Sequence, residues 1–283
     1  IFTYGSEEQK KSWLPRLVKA EAIGCFGLTE PEAGSDPASM KTIARKSSQN
    51  WILRGVKTWI TNGGIADVAV IWAKEEETGK CLGFLVEKGM KGFRTQNIQR
   101  KVSLRASVTS TLFLDDVEVP ESHRLPLAEG FKAPFSCLTE ARYGIAWGGV
   151  GAAQCCYEEA LTYAKNRIQF QKPIASFQLV QYYLVEILQE ITKAQLLVYR
   201  LGRLKQRGKA TYEQVSLAKR NNVKMALEVA RTCRSILGAS GITTEYHSIR
   251  HACNLESVYT YEGSHEIQTL IVGRAITGLD AIA

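Results

Sequence analysis

The spacing of apolar residues changes once along this chain, and that change limits what it can fold into. Between residues 22 and 119 the apolar runs are short, β-branched or alternating, as in ADVAVIWA, CLGFLVEK and TLFLDDVEV, with Gly, Asn or charged residues between them. Side chains alternate across a strand, so this zone reads as an antiparallel β domain. Asn62-Gly63, following the strand-like Lys57–Thr61, is a turn signal. From Phe131 onward the period is helical. Val180, Leu184, Ile187, Ile191, Ala194, Val198 and Leu201 return every three or four residues, which lays one apolar stripe along a long helix. Residues 137–166 and 212–237 repeat the pattern, and Gly202 and Gly208 loosen the joint between helices, so an antiparallel bundle is expected. Pro120 and Pro126 punctuate a linker between the zones. Residues 7–21 read as one helix and a turn, with Pro15 near the break, resembling the stub of something larger.

Composition narrows the chemistry. The 283 residues suit two domains, and no window approaches the ~18 uninterrupted apolar residues of a membrane span. The net charge is +8, but its Lys and Arg are dispersed. Groups such as Lys10-Lys11 and Lys219-Arg220 fall on apparent helices, with no aromatic-interleaved stripe of the kind nucleic acids select. An anionic small ligand suits that balance better. Seven cysteines without a CxxC pair read as free thiols in a reducing compartment. The chain begins at Ile1 with no signal-like segment, which reads as a processed product or fragment.

Common catalytic signatures are missing. There is no P-loop, and Gly149-Val150-Gly151 lies within a helical run rather than after a strand, where small residues serve close packing. His247 and His251 have the i, i+4 spacing of a zinc pair but no evident third ligand, so no metal is expected. No nucleophile-elbow sequence occurs. Four segments resist explanation by periodicity. They are Cys25–Asp36 (CFGLTEPEAGSD), Lys57–Gly63 (KTWITNG), Asn166–Pro173 (NRIQFQKP) and Thr260–Gln268 (TYEGSHEIQ). Each alone passes for a turn, a strand pair, a C-cap or an N-cap.

Together, in order and spacing, these segments resemble the acyl-CoA dehydrogenase family, and within it the glutaryl-CoA dehydrogenases. Phe26–Asp36, Ala141–Gly148 (ARYGIAWG) and Tyr261–Gly278 (YEGSHEIQTLIVGRAITG) carry the resemblance most strongly. It implies an α+β multidomain fold: a middle antiparallel β domain at 22–125, a C-terminal four-helix bundle at 126–283, and residues 1–21 as the last helix of an otherwise missing N-terminal helical domain. It also implies FAD as cofactor. Phe26, Leu28 and Thr29 would line the flavin ring, while Trp59, Ile60 and Thr61 would cover another part of it. Arg167, Phe170 and Gln178 would reach the FAD of a neighbouring subunit, and Gly238, Ser264 and Glu266 would complete the site. Ser35, Phe135 and Arg142 would contact the CoA thioester, with Tyr261 and Gly263 flanking the reacting carbons. Glu262 would be the catalytic base. A second lineage places its base on an earlier helix, where this chain has Ala141.

The resemblance further implies conversion of glutaryl-CoA to crotonyl-CoA, electrons passed to an electron-transfer flavoprotein, and a homotetramer. The setting would be the mitochondrial matrix in a eukaryote, where lysine and tryptophan are degraded, or the cytoplasm in a bacterium. Gln171 stands where the family usually has Gly, Gly238-Ala239 replaces Gly-Gly, and Ser264 and Glu266 replace Thr and Asp. Two other readings remain: a short-chain acyl-CoA oxidase, against which the final Ala-Ile-Ala counts, and an inactive truncated paralogue acting as a binding partner.

Overall fold

A computed structural model describes residues 1–281. It divides into two compact units, residues 1–101 with 105–137, and residues 102–104 with those from 138 onward.

The first unit opens with helix α1 (Glu7–Val18). Ser6 and Gln9 form a reciprocal capping box that satisfies its first orphan amides. Pro15 lies inside α1 rather than at its break, and the helix continues to Val18. The Gln9 amide donates to the carbonyls of Ser122 (2.7 Å) and Arg124 (2.9 Å), which anchors the helix to the sheet. The strands are β1 (Gly24–Gly27), β2 (Ile43–Ser47), β3 (Asn50–Thr61), β4 (Val68–Glu75), β5 (Cys81–Glu87), β6 (Phe93–Asn97), β7 (Thr109–Pro120) and β8 (Arg124–Glu129). They form one sheet in the order β6-β7-β3-β2-β4-β5-β8, with β1 added on β4.

Two features differ from the sequence reading. The sheet is mixed, because β1 and β2 both pair in parallel with β4. Alternation of side chains reports which face is buried, not the direction of the neighbouring strand, so it is silent on this point. The supposed linker at Pro126 is strand β8, paired with β5 at the end of the sheet order. An edge strand tolerates proline because it leaves no ladder bond unmade. Residues 126–137, assigned by sequence to the bundle, thus cluster with the first unit.

The second unit is helical: α2 (Lys132–Asn166, whose first residues belong to the first unit), α3 (Gln178–Gln206), α4 (Tyr212–Ile236), α5 (Ser248–Thr260) and α6 (His265–Thr277). A short hairpin, β9 (Ile168–Gln169) with β10 (Lys172–Pro173), joins α2 to α3. The α3 stripe is buried from Leu184 to Leu201 as its period requires, while Val180 at its start is half-buried. It packs in a core with many alanines, including Ala146, Ala153, Ala160, Ala218 and Ala226, whose small side chains let helices approach closely. Asn222 is fully buried and its amide donates to Ala146 O (3.0 Å) and Ala194 O (3.4 Å), linking α4 to α2 and α3. Among the described residues, no helix is long and apolar enough to cross a membrane. The last two residues of the expected 126–283 domain lie outside the described residues.

Candidate active site

Between α5 and α6 the chain makes a turn that no regular element would tolerate. Glu262 has φ +56° and Gly263 φ +84°, both in the left-handed region, where a side-chain-bearing residue costs roughly 1–2 kcal/mol. Ser264 then caps α6, its hydroxyl accepting from Ile267 N at 3.3 Å. Buried donors from three helices hold the strained turn. Arg142 Nε of α2 donates to Glu262 O at 2.6 Å. Gln268 Nε2 of α6 donates to Glu262 O and Gly263 O, each at 3.0 Å. Lys219 Nζ of α4 donates to Tyr261 O and Gly263 O, each at 2.8 Å. A Cβ on Gly263 would fall 2.6 Å from Gln268 Nε2 and 2.9 Å from Arg142, so glycine is required there for space as well as for φ.

All these donors go to backbone carbonyls, and the Glu262 carboxylate is left out. Its Oε2 is buried without a hydrogen-bond partner. Burial pushes the Glu262 carboxyl above the usual carboxylate range, opposed by the charges of Arg142 and Lys219. Burial likewise lowers Arg142, and lowers Lys219 to about 8 with the charge of Arg142 adding to the effect. A carboxylate with poor solvation, raised affinity for a proton and no bound donor is chemically a base.

The first unit holds a second buried carboxylate of opposite character. Lys57 on β3 is 0% exposed, and its ammonium donates to Glu30 Oε1 (2.7 Å) and Leu28 O (3.1 Å). Glu30 also accepts from Lys41 N (2.6 Å) and Thr42 N (3.0 Å). Burial raises the Glu30 carboxyl, but the Lys57 charge and these hydrogen bonds bring it net below its ordinary value. The pair fastens the segment after β1 to β3, and Thr58 N donates to Thr29 O at 2.9 Å beside it. Immediately beyond, the β3–β7 register shifts between Lys57 and Ile60, and Trp59 takes φ +60° with its indole 62% exposed. A bulge of this kind re-aims a side chain.

The segments expected to line a cofactor therefore meet in part. Phe26, Leu28 and Thr29 are fastened next to the bulge carrying Trp59 and Thr61. Leu28 and Ile60 themselves are buried in the unit, so their side chains face inward. Arg142, Tyr261, Glu262, Gly263 and Ser264 are gathered at one turn, with Glu266 in the first turn of α6. Arg142 is largely buried against that turn. Ser35 lies on an exposed loop, and Phe135 lies early in α2 beside Phe131, ring centroids 5.7 Å apart. Gln178 opens α3, and Gly238 has the left-handed φ of +59° that glycine accommodates. Arg167 precedes the β9–β10 hairpin, at whose tip Phe170 (86% exposed) and Gln171 take φ +50° and +64°. That explains the family's usual glycine where Gln171 stands.

The sequence reading missed Lys219 and Gln268. Sequence alone places Lys219 with Arg220 as a short basic group on an apparent helix, and the structure shows it 1% exposed. A signal existed: Val215, Ala218, Lys219, Asn222 and Ala226 follow i, i+3, i+4, i+7 and i+11, so the lysine stands on the apolar stripe. His247 bonds through its ring to Glu159 at 2.9 Å, at the start of α5.

Comparison with known proteins matches these units to two family models. Residues 25–117 match the acyl-CoA dehydrogenase middle domain, and residues 128–277 match the acyl-CoA dehydrogenase C-terminal domain. Glutaryl-CoA dehydrogenase of Desulfococcus multivorans is 37% identical over 96% of this chain and 71% of its own length. Crystal structures of glutaryl-CoA dehydrogenase from Mycobacterium smegmatis, one of them in complex with FADH2, superpose with TM-score 0.98 at 54% and 52% identity, covering 100% of this chain and 73% of theirs. The short-chain specific acyl-CoA dehydrogenase of Megasphaera elsdenii is 34% identical over 98% of this chain and 73% of its own.

Proposed function

Since this chain belongs to the acyl-CoA dehydrogenase family, we propose that it dehydrogenates glutaryl-CoA between Cα and Cβ, with Glu262 as the base and crotonyl-CoA and CO2 as products. The observation that carries the reading is the Glu262 carboxylate, its Oε2 buried and unpartnered on a turn whose carbonyls are otherwise fully engaged. Protons next to a thioester carbonyl are far less acidic than glutamic acid, so an ordinary carboxylate is a weak base for them. Burial raises the proton affinity of Glu262 and narrows that gap. The Cα–H bond breaks, the proton passes to a Glu262 oxygen, and the electron pair enters the thioester as an enolate. Holding the carboxylate at φ +56° in a fixed turn supplies orientation in advance. Glutaryl-CoA rather than a short-chain acyl-CoA is favoured by the 54% and 52% identity to the mycobacterial glutaryl-CoA dehydrogenases against 34% to the Megasphaera enzyme.

FAD fits the residues present. Trp59 offers an exposed indole face at a strained bulge, which suits a planar ring to cover it, and Thr29 and Thr61 add hydroxyls. Phe26, the backbone at Leu28 and Ile60, Gly238, Ser264 and Glu266 complete the proposed set. Arg167, Phe170 and Gln178 are proposed to serve the FAD of another copy in a homotetramer, where an arginine fork suits a diphosphate. When bound, FAD supplies the two-electron acceptor for the reaction. Ser35, Phe135, Arg142, Tyr261 and Gly263 are the proposed acyl-CoA contacts, and an electron-transfer flavoprotein is the proposed partner. Anaerobic mixing with glutaryl-CoA tests the reading. The account predicts bleaching of the oxidised flavin and release of CO2. Bleaching by butyryl-CoA alone would move the substrate to the short-chain class, and peroxide release in air at the turnover rate would make the enzyme an oxidase.

A further inference from the structure

Lys219 has no place in the mechanism above, yet its surroundings are unusual. Its ammonium is buried on α4 and donates to the carbonyls of Tyr261 and Gly263, the residues on either side of Glu262. An amide satisfies carbonyls in this turn without a charge, as Gln268 does for Glu262 and Gly263. Burying an ammonium instead carries a desolvation penalty that an amide avoids. The charge therefore needs an explanation that hydrogen bonding does not provide. We propose that Lys219 is a positioning residue for the base: its ammonium clamps the carbonyls flanking Glu262 and so fixes a positive charge on the turn that carries the carboxylate.

This rests on the reading of Glu262 as the base. The groups facing the site are Arg142 from α2, Lys219 from α4, Tyr261 and Glu262 from the turn, and His265 and Glu266 from the start of α6. Of these, Arg142 and Lys219 draw Glu262 towards ionisation, against burial. Arg142 and Gln268 hold the turn from other directions, so Lys219 is separable as the flanking clamp that also carries charge. Its sign is simple. Removing the positive charge leaves burial less opposed, and Glu262 binds its proton up to a higher pH.

The test uses the FAD-loaded full chain and Lys219→Met, Lys219→Gln, Lys219→Arg and Gln268→Leu. The Glu262 carboxyl stretch, assigned in infrared difference spectra by its loss in Glu262→Gln, is titrated in each. In Lys219→Met and Lys219→Gln the band should titrate at higher pH than in the parent. The acid limb of kcat/KM should follow it, with kcat at neutral pH falling about tenfold or more and KM little changed. Lys219→Arg should return the titration towards the parent, and Gln268→Leu should slow turnover without moving it. If Lys219→Met does not fold, Lys219→Gln, which keeps a donor for one carbonyl, gives the same reading. An unshifted Glu262 band in the neutral variants overturns the proposal. Persistent turnover in Glu262→Gln would instead sink the base assignment, while the infrared titration still decides whether Lys219 acts on Glu262.

Discussion

Two glutamates in this chain, one buried and one half-buried, each share a site with a buried lysine, and they are treated in opposite ways. Glu30 accepts directly from three neighbours: the Lys57 ammonium and the amides of Lys41 and Thr42. Glu262 has Lys219 and Arg142 close by, but their hydrogen bonds go to the backbone carbonyls of residues 261–263. The first carboxyl lies below its ordinary pKa and the second above it. Burial alone does not make a base. What matters is whether the local donors reach the carboxylate or the backbone that carries it.

The sharpest break in this contrast is to replace each glutamate by glutamine. Glu262→Gln should lower turnover by about 10⁴-fold, at the upper end of the range for losing a general base, while leaving FAD bound. It should also stabilise the fold at neutral pH. A raised folded-state pKa means that Glu262 contributes its stability below the unfolded value of 4.5 and loses it as pH rises through the folded value. The stability gap between Glu262→Gln and the parent should therefore widen from pH 4.5 upwards in urea melts. Glu30 runs the other way. Its lowered pKa contributes stability above 4.5, lost as pH falls through the folded value.

Breaking the Glu30–Lys57 pair comes next. Either Lys57→Met or Glu30→Gln alone should cost about 3–5 kcal/mol, because the remaining partner stays buried and uncompensated. The double variant should lose clearly less than the sum. Additive losses in a denaturant double-mutant cycle would show that the two groups are not coupled. Gly263→Ala should be milder, about 2 kcal/mol, from a left-handed φ and a Cβ set 2.6 Å from Gln268 Nε2. Its kcat should fall further than that destabilisation explains, since the turn carries Glu262. The smallest effect runs upwards. Gln171→Gly should gain about 1 kcal/mol, since Gln171 holds φ +64° at the hairpin tip, and thermal melts would register it.

Much of this molecule was legible beforehand. The α3 stripe foretold the buried face from Leu184 to Leu201, and the Tyr-Glu-Gly turn marked where Glu262 would stand. The parallel pairing of β1 with β4 was not, since strand direction leaves no mark in alternation. Strand β8 was hidden by Pro126, which an edge strand accepts. The most instructive loss is Lys219. A lysine on a helix ordinarily faces water, and only its place on a mostly apolar stripe betrayed it. The carbonyls it serves lie 42 and 44 residues away, across a turn whose φ values no local pattern reveals.

The central claim is that the donors around Glu262 are directed away from its carboxylate, whereas those around Glu30 are directed onto it. The most direct test is a pH titration of the two carboxyl carbons by NMR in protein labelled with ¹³C at glutamate Cδ, assigned with Glu30→Gln and Glu262→Gln. Glu262 should titrate above 4.5 and Glu30 below it. If Glu262 titrates at or below the ordinary glutamate value, the turn does not make it a base and the account fails.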